Sequence, residues 1–219
     1  MVKAKTIAGN GRRKAEKGTD KTESPRETSS EKAEQILQGA MAEFLAHGYA
    51  ATSMDRVASA AKVSKATVYS YFQDKEALFT ALVEQLAEEN FQLVFNEKMT
   101  EGEPKVVLTR LGTTLLNQIL TQPDHMTFIR LMIGESARFP NLAKTFIRCI
   151  TKPGIERLTQ YLANCHQLNI PDPEAAARIF LGSVIYYVQL QEIMHGKEIM
   201  PMDSERLIDS LTHLILSSK

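Results

Sequence analysis

The chain has 219 residues, 43% of them hydrophobic and 24% charged, with a formal net charge of zero. That is enough apolar material for one large domain or two small ones in an ordinary soluble protein. No apolar run reaches the length of about 18 residues that a membrane span needs. The N-terminus lacks the apolar core of a secretion signal. The two cysteines, Cys149 and Cys165, fit a reduced cytoplasm better than a disulfide framework. The charge is unevenly placed: residues 1–75 hold 13 Lys and Arg against 9 Asp and Glu, and residues 76–219 hold 13 against 17. Such asymmetry is expected if only the first part meets phosphate.

Residues 1–28 show almost no apolar periodicity and read as a disordered polar tail. Its cluster Arg12-Arg13-Lys14 has acids interspersed around it, which favours a solvated leader over an arm reaching DNA. A first helix is expected from about Thr28, with Glu31 as a capping-box partner. Its apolar residues Ile36, Leu37, Ala40, Met41, Phe44 and Leu45 make one continuous face. Gly48 ends it where a left-handed residue is needed, and Tyr49 packs into the corner.

The stretch Ser53–Phe79 reads as two short helices and the start of a third. Ser53 caps the first, whose Met54, Val57, Ala58 and Ala61 recur at helical spacing. After the Lys62–Val63 turn, Ser64 offers its hydroxyl to the free N–H groups of a second helix, Lys65 to Ser70. Val63 and Val68 point inward, while Lys65, Ala66, Thr67, Tyr69, Ser70 and Tyr71 form a polar, small and aromatic outer surface. Helices this short need a third behind them, which the run from Glu31 to His47 supplies. A tight helix pair with one cation and several hydroxyls on its second member suits the DNA major groove.

Asp74 or Gln73 opens a fourth helix, with Leu78, Leu82 and Leu86 on one face, expected to run to about Met99. It links the Lys75 end to a second domain. From Pro104 onward every segment has helical periodicity, with breaks or starts at Pro123, Pro140 and Pro153, the last giving a kink or a new start. Asp172-Pro173 starts a helix ending at His195-Gly196, whose apolar and small residues nearly encircle it. A helix apolar on most sides needs two covers, its own domain and a second copy of the chain. The expected dimer face is Ala176, Ile179, Gly182, Tyr186 and Leu190, joined by Leu207, Leu211 and Leu214 of a last helix opened by Asp203.

Residues 33–82 closely resemble the DNA-binding domain of the TetR family of bacterial regulators. The resemblance rests on Phe44, Gly48-Tyr49, Thr52, Val57-Ala58, Ala61, the run VSKATVYSYF, and Lys75-Glu76-Ala77-Leu78-Phe79. Many members carry a glycine where this chain has Lys62. The segment RLMIGESARFPNLAKTF also resembles, less specifically, the C-terminal domain of a TetR subgroup. The resemblance implies that Thr52, Lys65, Tyr69 and Lys75 hold phosphates, beside the Ser64 cap, and that Ala66, Thr67, Ser70 and Tyr71 lie nearest base edges. Small Ala66 permits approach to a thymine methyl.

The expected architecture is all-α: the tail 1–28, a three-helix DNA-binding domain over 29–75 with a helix-turn-helix, and a helical bundle over 76–219 for ligand binding and dimerisation. Phe91, Phe95, Leu111, Leu115, Met126, Phe128, Ile129, Met132, Phe146, Ile150 and Tyr161 are each ordinary core candidates, and as a group the expected lining of an apolar ligand pocket. His47, His125, His166, His195 and His213 are scattered without metal-ligand spacing, so neither a metal nor a cofactor is expected. The reading is a homodimeric, cytoplasmic regulator, a repressor released from a palindromic operator by a small, largely apolar molecule. An inducer-free architectural DNA-binding protein, or a helical enzyme using Cys165 or a histidine, are the alternatives.

Overall fold

A computed structural model describes residues 29–95 and 100–217; the tail 1–28, with Arg12-Arg13-Lys14, lies outside the described residues. Every regular element among them is helical: α1 (Ser29–Ala51), α2 (Met54–Ala60), α3 (Lys65–Tyr71), α4 (Lys75–Val94), α5 (Pro104–Thr121), α6 (Pro123–Glu135), α7 (Pro140–Phe146), α8 (Lys152–Asn164), α9 (Pro173–Val188) and α10 (Ser204–Leu216). α4 ends at Val94, earlier than its periodicity suggested, and residues 96–99 lie outside the described residues. The helical path from α7 into α8 is unbroken. A π-turn over Ile147–Thr151 carries it across, so Pro153 falls in a first turn and produces no break. A second π-turn, Gln189–Ile193, follows α9, and the left-handed His195 (φ 57) ends that path as expected.

The starts are fixed by side chains accepting from free N–H groups. Ser53 accepts from Arg56 N at 3.3 Å, Ser64 from Thr67 N at 3.0 Å, Asp74 from Ala77 N at 2.8 Å and Asp172 from Ala175 N at 2.9 Å. Two glycines set the DNA-binding end. Gly48 bends α1 at φ 77, ψ 164, a conformation an L side chain resists. Gly39 lets α1 touch α2: a Cβ there would lie 2.8 Å from the Ala61 backbone nitrogen.

The buried side chains form two clusters. The first joins Ile36, Phe44, Val57 and Val68 of the DNA-binding helices to Leu78, Phe79 and Leu82 of α4, Phe128 and Met132 of α6, and Leu142 of α7. Phe79 is its centre, with ring centroids 5.7 Å from Phe44, 5.6 Å from Tyr49 and 5.7 Å from Phe128. The second joins Val107 and Leu108 of α5, Leu158 and Leu162 of α8, Phe180 and Val184 of α9, and Ile208 and Leu211 of α10. Packing is thus continuous across the division drawn at residue 75, because residues of α4, α6 and α7 share one cluster with those of the three DNA-binding helices. Among the described residues no helix is long and apolar enough to cross a membrane.

Candidate functional site

α2 and α3 meet through the tight turn Ala61–Ser64. Val68 is fully buried and Val63 half-buried, as the spacing predicts. Lys65, Ala66, Tyr69 and Ser70 are exposed, and Thr67 is half-exposed. The Ser64 and Thr67 hydroxyl oxygens lie 2.7 Å apart, and the Ser70 hydroxyl donates to the Thr67 carbonyl at 2.7 Å. The outward surface of α3 therefore presents short, locally ordered hydroxyls around a bare methyl, with Tyr69 beside it.

Three of the anticipated DNA contacts stand elsewhere. Thr52 is buried, 3% exposed, and its hydroxyl donates to the carbonyls of Gly48 at 2.9 Å and Glu43 at 3.1 Å. The side chain staples the α1 corner; it does not reach out for phosphate. Lys75 turns inward as well. Its ammonium donates to the carbonyls of Tyr49 (2.7 Å), Thr52 (2.8 Å) and Ala50 (3.4 Å), and sits 4.4 Å from the Tyr49 ring centroid. Those three bonds use all the donors an ammonium has. Burial lowers its pKa, the Glu135 carboxylate opposes the shift, and Arg138 adds to it. The Tyr49 phenol, buried in the same corner and near Glu76 and Asp74, is pushed up to about 12. Tyr71, expected at base edges, is half-buried against the first cluster, and its hydroxyl donates to Ser29 Oγ at 3.3 Å. It braces the start of α1 against the end of α3.

Lys65 is exposed but paired, its ammonium 2.7 Å from Asp55 Oδ1 on α2, and this carboxylate raises its pKa. Arg56 is likewise paired, with Glu43 at 3.0 Å. Asp55, in the first turn of α2, is the anion that pairs with Lys65, and its place beside the Ser53 cap is the signal the sequence carries for it.

The residues expected to line one ligand pocket are divided. Phe128, Met132, Phe146 and Ile150 pack in or against the first cluster; Leu111, Leu115, Met126, Ile129, Phe95 and Tyr161 belong to the second. Phe91 lies under Arg157, whose guanidinium carbon is 4.8 Å from the ring centroid. The apolar surfaces of Phe128, Met132 and Leu111 are already satisfied by neighbours, being 2%, 5% and 3% exposed. An open cleft of about 640 Å³ lies instead where the end of α4 meets α5 and α8, lined by Phe95, Pro104, Arg157, Gln160, Tyr161, Asn164, Cys165 and His166 among others. Only Phe95 and Tyr161 of the expected set reach it. The Tyr161 phenol is pushed up to about 12, by burial first and then by Cys165, with Arg110 opposing. It is a neutral hydroxyl at ordinary pH.

The expected dimer face is divided in a similar way. Ile179, Gly182 and Tyr186 of α9 and Leu214 of α10 point outward, with Ile179, Tyr186 and Leu214 each more than 60% exposed. Leu211 is buried in the second cluster, Leu207 and Ala176 pack against it, and Leu190 is half-buried against the backbone at Gly196. Ala176, Leu207 and Leu211 thus follow the periodicity of the domain's own core, while Leu190 sits in the π-turn beyond α9.

A capped two-helix unit with a hydroxyl-rich outer helix, joined through α4 to a helical bundle, defines a DNA-binding regulator. Comparison with known proteins agrees: residues 36–82 match the N-terminal model of the bacterial regulatory proteins of the TetR family, and residues 106–217 match the AefR-like transcriptional repressor C-terminal domain. The chain belongs to the TetR family of transcriptional regulators, and is not an enzyme. It is similar to the flavonoid-responsive regulator FrrA, with 30% identity, TM-score 0.73, and coverage of 87% of this chain and 97% of FrrA. It is 25% identical to the HTH-type regulator YvkB of Bacillus subtilis over 83% of this chain and 93% of YvkB. It is also 30% identical to YuxN of the same organism, over 49% of this chain and only 36% of YuxN. Regulators of this family bind DNA and typically dimerise.

Proposed function

We propose that the chain is a dimeric repressor that reads a palindromic operator with α3 and leaves it when a small effector fills the cleft at the far end of α4. The observation that carries this reading is the outward face of α3. Ser64, Lys65, Ala66, Tyr69 and Ser70 are exposed and Thr67 half-exposed; on this reading Ala66, Thr67 and Ser70 meet base edges, and Ser64, Lys65 and Tyr69 meet phosphates. Two copies joined through Ile179, Gly182, Tyr186 and Leu214 would present two such helices, as a two-fold operator requires. Lys65 exchanges Asp55 for a phosphate on docking.

The cleft favours an effector less apolar than the pattern of core residues suggested. Phe95 offers a ring, while Arg157, Gln160, Tyr161 and Asn164 offer polar contacts. An aromatic molecule bearing hydroxyls suits that lining, and the similarity to flavonoid-responsive FrrA supports the class. The well-filled core around Phe128 and Met132 instead favours the inducer-free reading. One experiment separates them. Duplexes are selected from a random pool, and the winning operator is titrated with and without a panel of hydroxylated flavonoids. A compound that weakens DNA binding must itself bind more weakly when operator is present. Selection of no common sequence would defeat the operator reading. A compound that binds equally well with and without operator is no inducer.

A further inference from the structure

Lys62 holds the turn between α2 and α3 with φ 54, one of two left-handed non-glycine residues among those described. A side chain other than glycine is strained there, and strain of this kind persists only where the surroundings enforce it. The surroundings do so. Val63 N donates to Ala58 O at 3.0 Å, Lys62 N to Ser59 O at 3.2 Å, and Gln35 Nε2 on α1 clamps the Ala61 carbonyl at 2.8 Å. Nothing in that packing uses the lysine side chain. It is exposed, and its ammonium makes no hydrogen bond or ion pair among the described residues.

The other cations of the helix-turn-helix are engaged. Arg56 is held by Glu43, Lys65 by Asp55, and Lys75 by three carbonyls. Lys62 lies three Cα steps before Lys65, so it stays within about 11 Å of the first residue of the recognition helix. We infer that Lys62 is a DNA-phosphate contact: the turn keeps a strained lysine because it supplies the unmasked positive charge at the rim of the groove. This rests on α3 being the DNA-reading helix. A phosphate contact adds affinity without sequence preference and releases about 0.9 counterion.

The test measures binding of the full-length protein to its selected operator and to a random duplex between 50 and 200 mM salt. Lys62→Gln should weaken both by the same factor. It should also shrink the salt-induced loss of affinity by about 3.5-fold per subunit, or about 12-fold for the dimer, which is what one phosphate contact on each subunit contributes over a fourfold salt change. Lys62→Arg should retain the wild-type salt dependence. Lys62→Gly should lose it as Gln does, yet raise Tm by about 2 °C as the left-handed strain is relieved. A salt dependence for Lys62→Gln equal to wild type overturns the inference, and so does a loss confined to the operator. Thr67→Ala serves as the control for the underlying reading. If it leaves the operator-to-random ratio unchanged, α3 is not the reading helix, a failure distinguishable from that of Lys62.

Discussion

The outward faces of α3 and α9 are opposites. α3 turns Lys65, Tyr69 and Ser70 to solvent, whose polar atoms water satisfies as well as a groove does, beside the small methyl of Ala66. α9 turns out Ile179, Ile185 and Tyr186, which water does not satisfy, around a glycine with no neighbour where its Cβ would stand. A polar face can wait for its partner; a large apolar one costs free energy until it is covered. In the proposed dimer α9 would be covered permanently and α3 intermittently, the order of events a DNA-binding dimer needs.

The sharpest way to break that contrast is Gly182→Arg. Because a Cβ at Gly182 meets nothing within 4 Å, arginine should not disturb the monomer's core. It should, however, place a charge on the covered face. Sedimentation should show monomers, and operator affinity should fall by about 100-fold or more as the second half-site loses its linkage. A dimer of wild-type affinity would move the interface off α9.

Next in size is the corner that aims α3. Gly39→Ala would drive a Cβ to 2.8 Å from the Ala61 nitrogen, backbone that cannot step aside as a side chain can. A loss of about 1–3 kcal/mol in stability is expected from this overpacking, read as a lower midpoint in urea. An unchanged midpoint would mean that α1 and α2 separate freely.

Much of this was legible in the sequence, and the misses have one cause. The caps at Ser53, Ser64, Asp74 and Asp172 bond to atoms three residues away, so local spacing carries them. Lys75 bonds to carbonyls 23–26 residues away, and Thr52 to carbonyls across a corner bent by Gly48, neither of which helical periodicity encodes. Leu211 and Leu214 lie three apart on one helix, so periodicity puts them on one face; the second cluster takes in the first and leaves the second outside. For the pocket, apolar residue type identified core membership but not which of two cores. Phe128 joined Phe79 at the DNA-binding end, far in sequence from the Tyr161 cleft.

The corner also yields a test of inward against outward charge. Lys75→Met removes the donors to three carbonyls and leaves them short of partners. The expected cost is about 1–2 kcal/mol of stability. The slope of log affinity against log salt should change by less than about half a unit, since Lys75 does not hold a phosphate. Flattening by about 1.8 units, one phosphate from each subunit, with an unchanged unfolding midpoint would return Lys75 to the DNA surface.

The smallest expected effect concerns the pair on α2 and α3. Asp55 and Lys65 are both well exposed, so breaking their 2.7 Å contact should leave the unfolding midpoint almost where it was. DNA binding should respond more. With Asp55→Asn, Lys65 no longer exchanges one anion for another on docking, so its charge counts fully toward counterion release. The salt slope should steepen by up to about 0.9 unit per subunit, about 1.8 for the dimer, and random duplex should bind several-fold more tightly. Asp55 would thus restrain indiscriminate binding, a role suited to a helix otherwise covered in neutral hydroxyls. Repeating Asp55→Asn in a Lys65→Met background tells masking from simple repulsion. If Asp55 works by holding Lys65, the substitution should do little once the lysine is gone. If the gain persists undiminished, Asp55 acts on the phosphates directly, and the ion pair has no part in the restraint.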